Sequence, residues 1–133
     1  MPHMGYEDAA DVRLLRRVRW VGSSREDLRA FPKHVRQKIG FVLYLAQRGE
    51  RHAAAKLLKG LGARGVLEVV GDYDRATYRA VYTVRFAEAI YVLHVFQKKS
   101  KRGIATPRRD INLIRQRLRE VARIHAAREG LTR

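Results

Sequence analysis

The chain has 133 residues and carries 29 Lys and Arg against 13 Asp and Glu, which gives a formal net charge of +16. Its length is typical of one domain, and its 46% hydrophobic residues are enough for one core. The absence of cysteine excludes disulfides, thiolate catalysis and thiolate zinc sites. No apolar run approaches the roughly 20 residues of a membrane span, and the start lacks a signal-peptide core. We therefore expect a cytoplasmic protein that makes no membrane contact.

The charge balance favours a polyanionic partner. A net charge this large opposes compact folding through self-repulsion unless an anion offsets it. Nucleic acid is the first candidate, since Lys and Arg that neutralise phosphates release condensed counterions and gain affinity. The alternative is a basic protein whose arginine content reflects only the composition of its genome.

Three segments are predicted along the chain. Residues 1–15 begin with Met1-Pro2-His3-Met4 and are expected to be disordered or derived from cloning. Residues 16–126 form the predicted domain, and residues 127–133 form a C-terminal tail. No internal repeat or low-complexity linker divides the domain, and no pattern indicates an oligomeric state.

The first half of the domain predicts one strand and two helices. Charged and apolar residues alternate over 17–21, as in an edge strand with one buried face. The spacing of Ser24 and Asp27 matches a capping box that opens a short helix, and Pro32 suits the first position of a second helix. The second helix stops at Gly49 and carries one apolar stripe: Val35, Ile39, Val42, Leu43 and Ala46. The two helices are expected to form an antiparallel hairpin.

In the second half the hydrophobic period changes to two, which predicts strands. Three strands are expected: 66–70, 77–85 and 90–96. A turn at 71–74 and other short connections make them an antiparallel meander. Thr106 before Pro107 then caps a last helix with one apolar face: Ile111, Ile114, Leu118 and Val121. The order strand, two helices, three strands, helix defines a single α+β domain.

The densest positive stretch runs from Lys98 to Arg119 and holds nine Lys or Arg with a single acid, Asp110. A solvated helix face usually interleaves acids and bases, because pairs four residues apart stabilise the helix. This stretch does not, and it enters a helix whose first amides can also face a phosphate. We interpret it as a phosphate-binding surface, with a solvated basic face as the alternative.

Two polar residues lie within predicted strands. A charge at Arg79, in the middle of a strand, needs a partner or a ligand. The partner could be Glu68 on the neighbouring strand, and the ligand could be a phosphate. His94 is either a satisfied core residue or a general base. No pair of acids and no metal-ligand spacing is recognisable, and the glycines at 60–65 precede a strand, unlike a dinucleotide-binding loop.

Several short segments together resemble a known family. They are residues 56–61 (KLLKGL), Leu67-Glu68, residues 78–82 (YRAVY), residues 94–100 (HVFQKKS) and Thr106-Pro107 with the helix that follows. Their order and spacing resemble the phage-derived HigB-like branch of the RelE/ParE toxin superfamily over residues 17–120. The resemblance implies a RelE-like microbial RNase fold: an N-terminal helical hairpin on a twisted antiparallel sheet of about four strands, with a C-terminal helix.

The resemblance also implies a function. Such a protein is the toxin of a type II toxin–antitoxin system, an mRNA interferase that cleaves RNA on the ribosome. The 2′-hydroxyl attacks the adjacent phosphate without a metal or other cofactor. The expected partners are RNA and a cognate helix-turn-helix antitoxin. The alternatives are a ParE-like inhibitor that blocks DNA gyrase without catalysis and a plain nucleic-acid-binding module.

Site residues follow from the same resemblance. The strand arginine of these toxins matches Arg79, their lysine pair matches Lys56 and Lys59, and their Phe-x-Lys-Lys motif begins at Phe96. The predicted catalytic residues are Arg79, His94, Lys98 and Lys99. The predicted RNA-binding residues are Lys56, Lys59, Phe96, Lys101, Arg102, Arg108 and Arg109.

The sequence departs from many RelE-type relatives at one point. They carry a C-terminal Tyr after the basic loop, whereas residues 98–133 contain no Tyr here. Three substitutes remain open: His94, Tyr82, or catalysis by cations alone. A histidine suits proton transfer near neutral pH, and the planar fork of Arg79 suits a phosphate.

Overall fold

The computed structural model of the protein describes residues 15–62, 64–98 and 105–132. The elements in chain order are β1 (Arg17–Trp20), α1 (Ser24–Arg29), α2 (Lys33–Gln47), β2 (Lys56–Leu57), β3 (Val66–Tyr73), β4 (Ala76–Thr83), β5 (Ala89–Lys98) and α3 (Arg108–Thr132). This order confirms the α+β class. The predicted N-terminal segment lies outside the described residues except for Leu15, and α3 continues through the segment predicted as a tail.

The strands form one open sheet in the order β1-β5-β4-β3-β2. The antiparallel meander of β3, β4 and β5 is confirmed. The prediction of a purely antiparallel sheet of about four strands is wrong, because β1 pairs with β5 in parallel and β2 adds a fifth strand. β2 has two residues, too few for an alternating pattern. The direction of β1 depends on a partner far along the chain, which its own residues do not reveal.

The turn between β3 and β4 lies later than the sequence predicts. Asp74 and Arg75 both have positive φ (48° and 65°) and form a two-residue turn, so β3 continues through residue 73. Gly71 therefore lies inside a strand and serves packing instead of a turn. A Cβ added there would stand 3.2 Å from Cγ1 of Val35 on α2. The glycine lets the helix lie close to the sheet.

Helices cover both faces of the sheet. On one face α2 buries the whole predicted stripe: Val35, Ile39, Val42, Leu43 and Ala46. On the other face α3 buries three of its predicted apolar residues: Ile114, Leu118 and Val121. The interior strand β5 therefore has helices on both sides, which explains why its run from Ala89 to Val95 is buried throughout.

The helical hairpin differs in detail from the prediction. α1 packs on β5, whereas α2 packs on β3, β5 and β1. Each helix therefore makes its main contacts with the sheet. The expected capping box is also wrong. The buried hydroxyl of Ser24 donates to the carbonyl of Val92 at 3.2 Å, and the hydroxyl of Ser23 contacts Asp27 at 2.7 Å. The spacing of Ser24 and Asp27 could not reveal a partner that lies on β5.

A bulge in β5 directs two successive side chains to the same face. Val81 pairs with His94 and Tyr82 with Val92, so Leu93 is the extra residue. Leu93 enters the core beneath α3, and His94 also meets α3 through a hydrogen bond. The bulge thus places a histidine on the face that α3 covers.

Two glycine substitutions test the packing of α2 on the sheet. Gly40 lies on the exposed side of α2, and a Cβ added there would have nothing within 4 Å, so Gly40→Ala should stabilise the protein by about 0.5–1 kcal/mol. Gly71→Val should instead destabilise it by about 1–3 kcal/mol, because the added atoms meet Val35. Urea unfolding of the two variants measures both effects. Equal stability of Gly71→Val and the wild type would contradict the close approach.

Candidate functional site

The predicted catalytic residues of β4 and β5 share one face of the sheet. Glu68, Val81 and His94 lie opposite one another on β3, β4 and β5, and Arg79 lies opposite Phe96 in the next row. The start of α3 covers this face, with Thr106 and Asp110 as its polar contacts. The fold therefore brings together side chains that are far apart in the sequence.

Arg79 lies in a polar cluster with Glu68 and Thr106. Nη1 of Arg79 is 3.4 Å from Oε1 of Glu68 and 3.3 Å from the hydroxyl of Thr106. That hydroxyl donates in turn to Oε2 of Glu68 at 2.7 Å. The residue is only 3% exposed, so its charge depends on these groups. The ion pair with Glu68, one of the two roles considered for Arg79, is present; a phosphate role stays a prediction.

Thr106 does not act as the predicted helix cap. Its hydroxyl is engaged with Glu68, and the first backbone bond of the helix runs from the amide of Ile111 to the carbonyl of Pro107 at 3.0 Å. The Thr-Pro pair still marks the start of α3 correctly. The hydroxyl of Thr106 connects the start of α3 to Glu68 on β3.

His94 forms a second polar contact beneath α3. Its Nε2 is 2.8 Å from Oδ1 of Asp110, and its ring stacks on Phe96 with centroids 4.6 Å apart. Burial lowers the pKa of His94, and nearby Arg117 lowers it further, while Asp110 and the more distant Asp27 raise it. The buried Nδ1 has no hydrogen-bond partner among the described residues. A neutral imidazole of this kind can accept a proton.

A cleft of about 620 Å³ opens beside the Arg79 cluster. It lies between the β2 segment and the start of α3, and Glu68 and Thr106 belong to its lining. Two predicted RNA-binding residues, Lys56 and Lys59, line it and are exposed. Apolar side chains complete the wall: Leu57, Leu58 and Ile111. The cleft therefore combines cations, an apolar wall and access to the carboxylate of Glu68, which pairs with Arg79.

A second depression continues along the start of α3. It has a volume of about 460 Å³ and is lined by Arg108 and Arg115. The guanidinium of Arg115 donates to the carbonyl of Gly60 at 3.1 Å, which ties the segment after β2 to the helix. The cationic rim thus extends from the β2 segment onto α3.

The remaining predicted residues occupy different positions. Lys98 donates from Nζ to the carbonyl of Ala105 at 3.0 Å, next to the Arg79 cluster. Arg108 and Arg109 are exposed in the first turn of α3. Three further predicted residues lie outside the described residues: Lys99, Lys101 and Arg102.

Tyr82 cannot substitute for the missing C-terminal Tyr. It is fully buried in the core beneath α1 and α2, on the opposite face from Arg79 and His94. Burial raises the pKa of its hydroxyl to about 12. Strand alternation explains the placement, because residues 79 and 82 differ by an odd number and face opposite sides. This leaves His94 and the cations as the candidates for proton transfer.

Sequence reasoning undervalued the acids of this site. Glu68 was considered as a structural partner of Arg79 and as part of the family resemblance, and Asp110 only as an exception in a basic stretch. No periodic pattern joins them, since one lies on β3 and the other on α3. The available signal was the isolation of Asp110 among cations in the first turn of a helix, where a carboxylate is favoured.

Neither a metal site nor a membrane span is found within residues 15–62, 64–98 and 105–132. No three His, Asp or Glu side chains in these ranges lie close enough together to hold a metal ion. No helix in the same ranges has the length and apolarity needed to cross a membrane.

The fold and the site define an α+β protein with an open, mixed five-stranded sheet and a basic polar site beneath its C-terminal helix. A family model described as "Phage derived protein Gp49-like (DUF891)" matches residues 26–119. The match covers more than half of the chain, which therefore belongs to the phage-derived Gp49-like family, a RelE-like, toxin-related family. The comparisons with curated proteins and with solved structures found no match.

Breaking the Arg79–Glu68 pair should destabilise the protein far more than breaking an exposed pair does. The two side chains are 4% and 14% exposed, so Glu68→Ala removes a carboxylate that faces a buried cation and should lower the free energy of unfolding by about 3 kcal/mol. The control is Glu50→Ala, which removes the exposed Arg48–Glu50 pair and should cost less than about 1 kcal/mol. Urea unfolding compares the two. Similar losses would show that the buried cluster is not a structural requirement.

Burial of His94 should make stability fall in mild acid. Because the folded pKa lies below its ordinary value of 6.5, the unfolded chain binds the proton more readily between those two values. The free energy of unfolding should therefore fall as the pH drops below about 6.5. His94→Gln should show a shallower fall between pH 7 and pH 5, since all other titrating groups are retained. Parallel curves for the two proteins would contradict the assignment.

Proposed function

We propose that the protein is the toxin of a type II toxin–antitoxin system, of the RelE/HigB kind, and that it cleaves messenger RNA on the ribosome. The proposal goes further than membership of the Gp49-like family. One observation carries it: Arg79 and His94 lie on the same sheet face, beneath the start of α3 and beside a cleft rimmed by Lys56 and Lys59.

The proposed reaction needs a base, an acid and cations. Neutral His94 takes the proton of a ribose 2′-hydroxyl, and the 2′-oxygen forms a bond to the adjacent phosphorus. The bond from phosphorus to the 5′-oxygen breaks, and that oxygen takes up a proton from the ammonium group of Lys98. The guanidinium of Arg79 stabilises the charge that develops on the phosphorane, and Lys98 lies on the same face for the same purpose.

Access to these groups requires a change at the start of α3. Arg79 is 3% exposed and His94 is 8% exposed. The contacts of Thr106 with Glu68 and of Asp110 with His94 cover them. An RNA phosphate is an anion, so it can replace a carboxylate as the partner of a cation. We therefore propose that RNA enters from the cleft and displaces the first turn of α3.

An antitoxin is the expected counterpart of this activity. A toxin with a net charge of +16 offers a large basic surface, which attracts RNA wherever it is uncovered. A cognate helix-turn-helix antitoxin with a complementary acidic surface blocks that attraction. Ribosome-bound messenger RNA is the proposed substrate because it presents single strands.

Cleavage assays test the proposal. The purified protein is incubated with 5′-labelled RNA, alone and with translating ribosomes. We expect fragments ending in a 2′,3′-cyclic phosphate, with 5′-hydroxyl ends downstream. His94→Gln and Arg79→Lys should each slow cleavage by about 100-fold, because a point charge cannot replace a planar fork and glutamine cannot accept the proton. Arg36→Ala, at an exposed cation of α2, is the matched control and should cleave normally.

The outcomes separate the alternatives. Wild-type cleavage by a folded His94→Gln protein would remove His94 from the mechanism. RNA binding without any cleavage by the wild type would leave a nucleic-acid-binding module. Inhibition of gyrase supercoiling without RNA cleavage would instead identify a ParE-like inhibitor.

A further inference from the structure

One side of the β1 backbone faces away from the sheet. β1 is the edge strand next to β5. The amide of Val21 donates to Val92 at 3.0 Å, whereas the amide of Arg16 donates in the other direction, to Gln47 of α2, at 3.1 Å. Successive residues of a strand point their amides to opposite sides. The N–H and C=O groups of Val18 and Trp20 therefore point outward, where no described strand pairs with them.

A long groove borders this edge. It has a volume of about 1140 Å³ and runs between β1 with α1 on one side and α3 on the other. Its charged lining consists of four arginines and two glutamates: Arg19, Arg25, Arg117, Arg128, Glu26 and Glu120. Ile124, which is 43% exposed, adds an apolar surface. The groove therefore offers cations and apolar contacts next to an open strand edge.

Part of this groove is rigidly held. The guanidinium of Arg117 donates to the carbonyl of Leu93 at 2.8 Å. It also fills the space beside Gly22, where an added Cβ would stand 2.5 Å from its Nη2. A cation fixed in this way binds an anion without losing further side-chain freedom.

A peptide strand fits this surface better than a second copy or RNA. Pairing of β1 with β1 of another copy would bring the cations of Arg17 and Arg19 against their equivalents. RNA would neutralise the arginines, but its backbone has no ladder of alternating donors and acceptors. An extended peptide with carboxylates can satisfy both the arginines and the strand edge.

We propose that the outer side of β1 and its groove bind an extended acidic segment of a partner protein. The segment adds a strand next to β1 and directs its carboxylates toward Arg19 and Arg25. Val18 and Trp20 supply the backbone hydrogen bonds. This surface lies at the opposite edge of the sheet from β2 and the cleft, so it does not depend on the proposed cleavage.

The single tryptophan makes the edge directly observable, because Trp20 is the only one in the chain. The probe is an acetylated ten-residue peptide of alternating Glu and Val, titrated while the emission of Trp20 is recorded. We expect a saturable change that weakens with salt. The same peptide with Lys in place of Glu should leave the emission unchanged.

Three variants locate the binding. Arg25→Glu should weaken peptide binding about ten-fold by replacing attraction with repulsion, whereas Arg36→Glu, the same charge change on α2, should leave it unchanged. Val18→Pro removes an outward amide, which a sheet edge tolerates, and replaces a half-buried side chain that packs against the core. It should weaken binding about five-fold, the worth of one hydrogen bond. Melting temperatures confirm that each variant folds.

Each contrary result overturns the proposal. No emission change at millimolar peptide would exclude the site, and equal effects of Arg25→Glu and Arg36→Glu would reduce it to general charge attraction. Competition by a ten-residue oligouridylate that depends on Arg25 and Val18 would assign the groove to RNA. A dimer in sedimentation that Val18→Pro dissociates would assign it to a second copy. RNA cleavage by the same Val18→Pro protein is measured separately, so a failure of either proposal is recognisable.

Discussion

A guanidinium in the middle of a sheet requires an anion, and much of this protein is arranged around that requirement. Arg79 obtains its anion from Glu68 on β3, and Thr106 bridges the two. Thr106 lies just before α3, so its contacts with Arg79 and Glu68 fix the position of the start of that helix on the sheet. Asp110, one turn further on, then reaches His94. A buried charge on β4 thereby positions a histidine contact on β5.

The contacts that stabilise the site also close it. In the proposed reaction a phosphate takes the place of the carboxylate of Glu68, which faces Arg79, or of Asp110, which faces His94. A buried ion pair stabilises the folded state little more than a pair of apolar side chains would, since the cost of desolvating the charges offsets much of their attraction. Exchange of one anion for another is therefore less costly than exposure of the bare cation. This exchange is what the proposed entry of RNA at the start of α3 requires.

The sequence predicted the parts of the fold that depend on local pattern. The apolar stripe of α2 and the meander of β3 to β5 follow from periodicity alone. The errors concern features set by distant partners: the parallel pairing of β1, the packing of Gly71 under Val35, and the hydroxyl bond of Ser24. At the site, Arg79 and His94 stood out because each is polar within a strand. Their joint face could not be predicted, because the bulge at Leu93 changes the alternation of β5.

Both edges of the sheet carry cations, so charge alone cannot direct a partner to one of them. The β2 edge adds an apolar cleft that reaches Glu68, whereas the β1 edge adds an open backbone ladder. The two edges are about 19 Å apart at the usual strand spacing. Salt screens charges beyond roughly 10 Å, so an acid bound at β1 has little direct effect on RNA at the cleft. The helix α3 connects the two surfaces, because its first turn borders the cleft and its later turns border the groove.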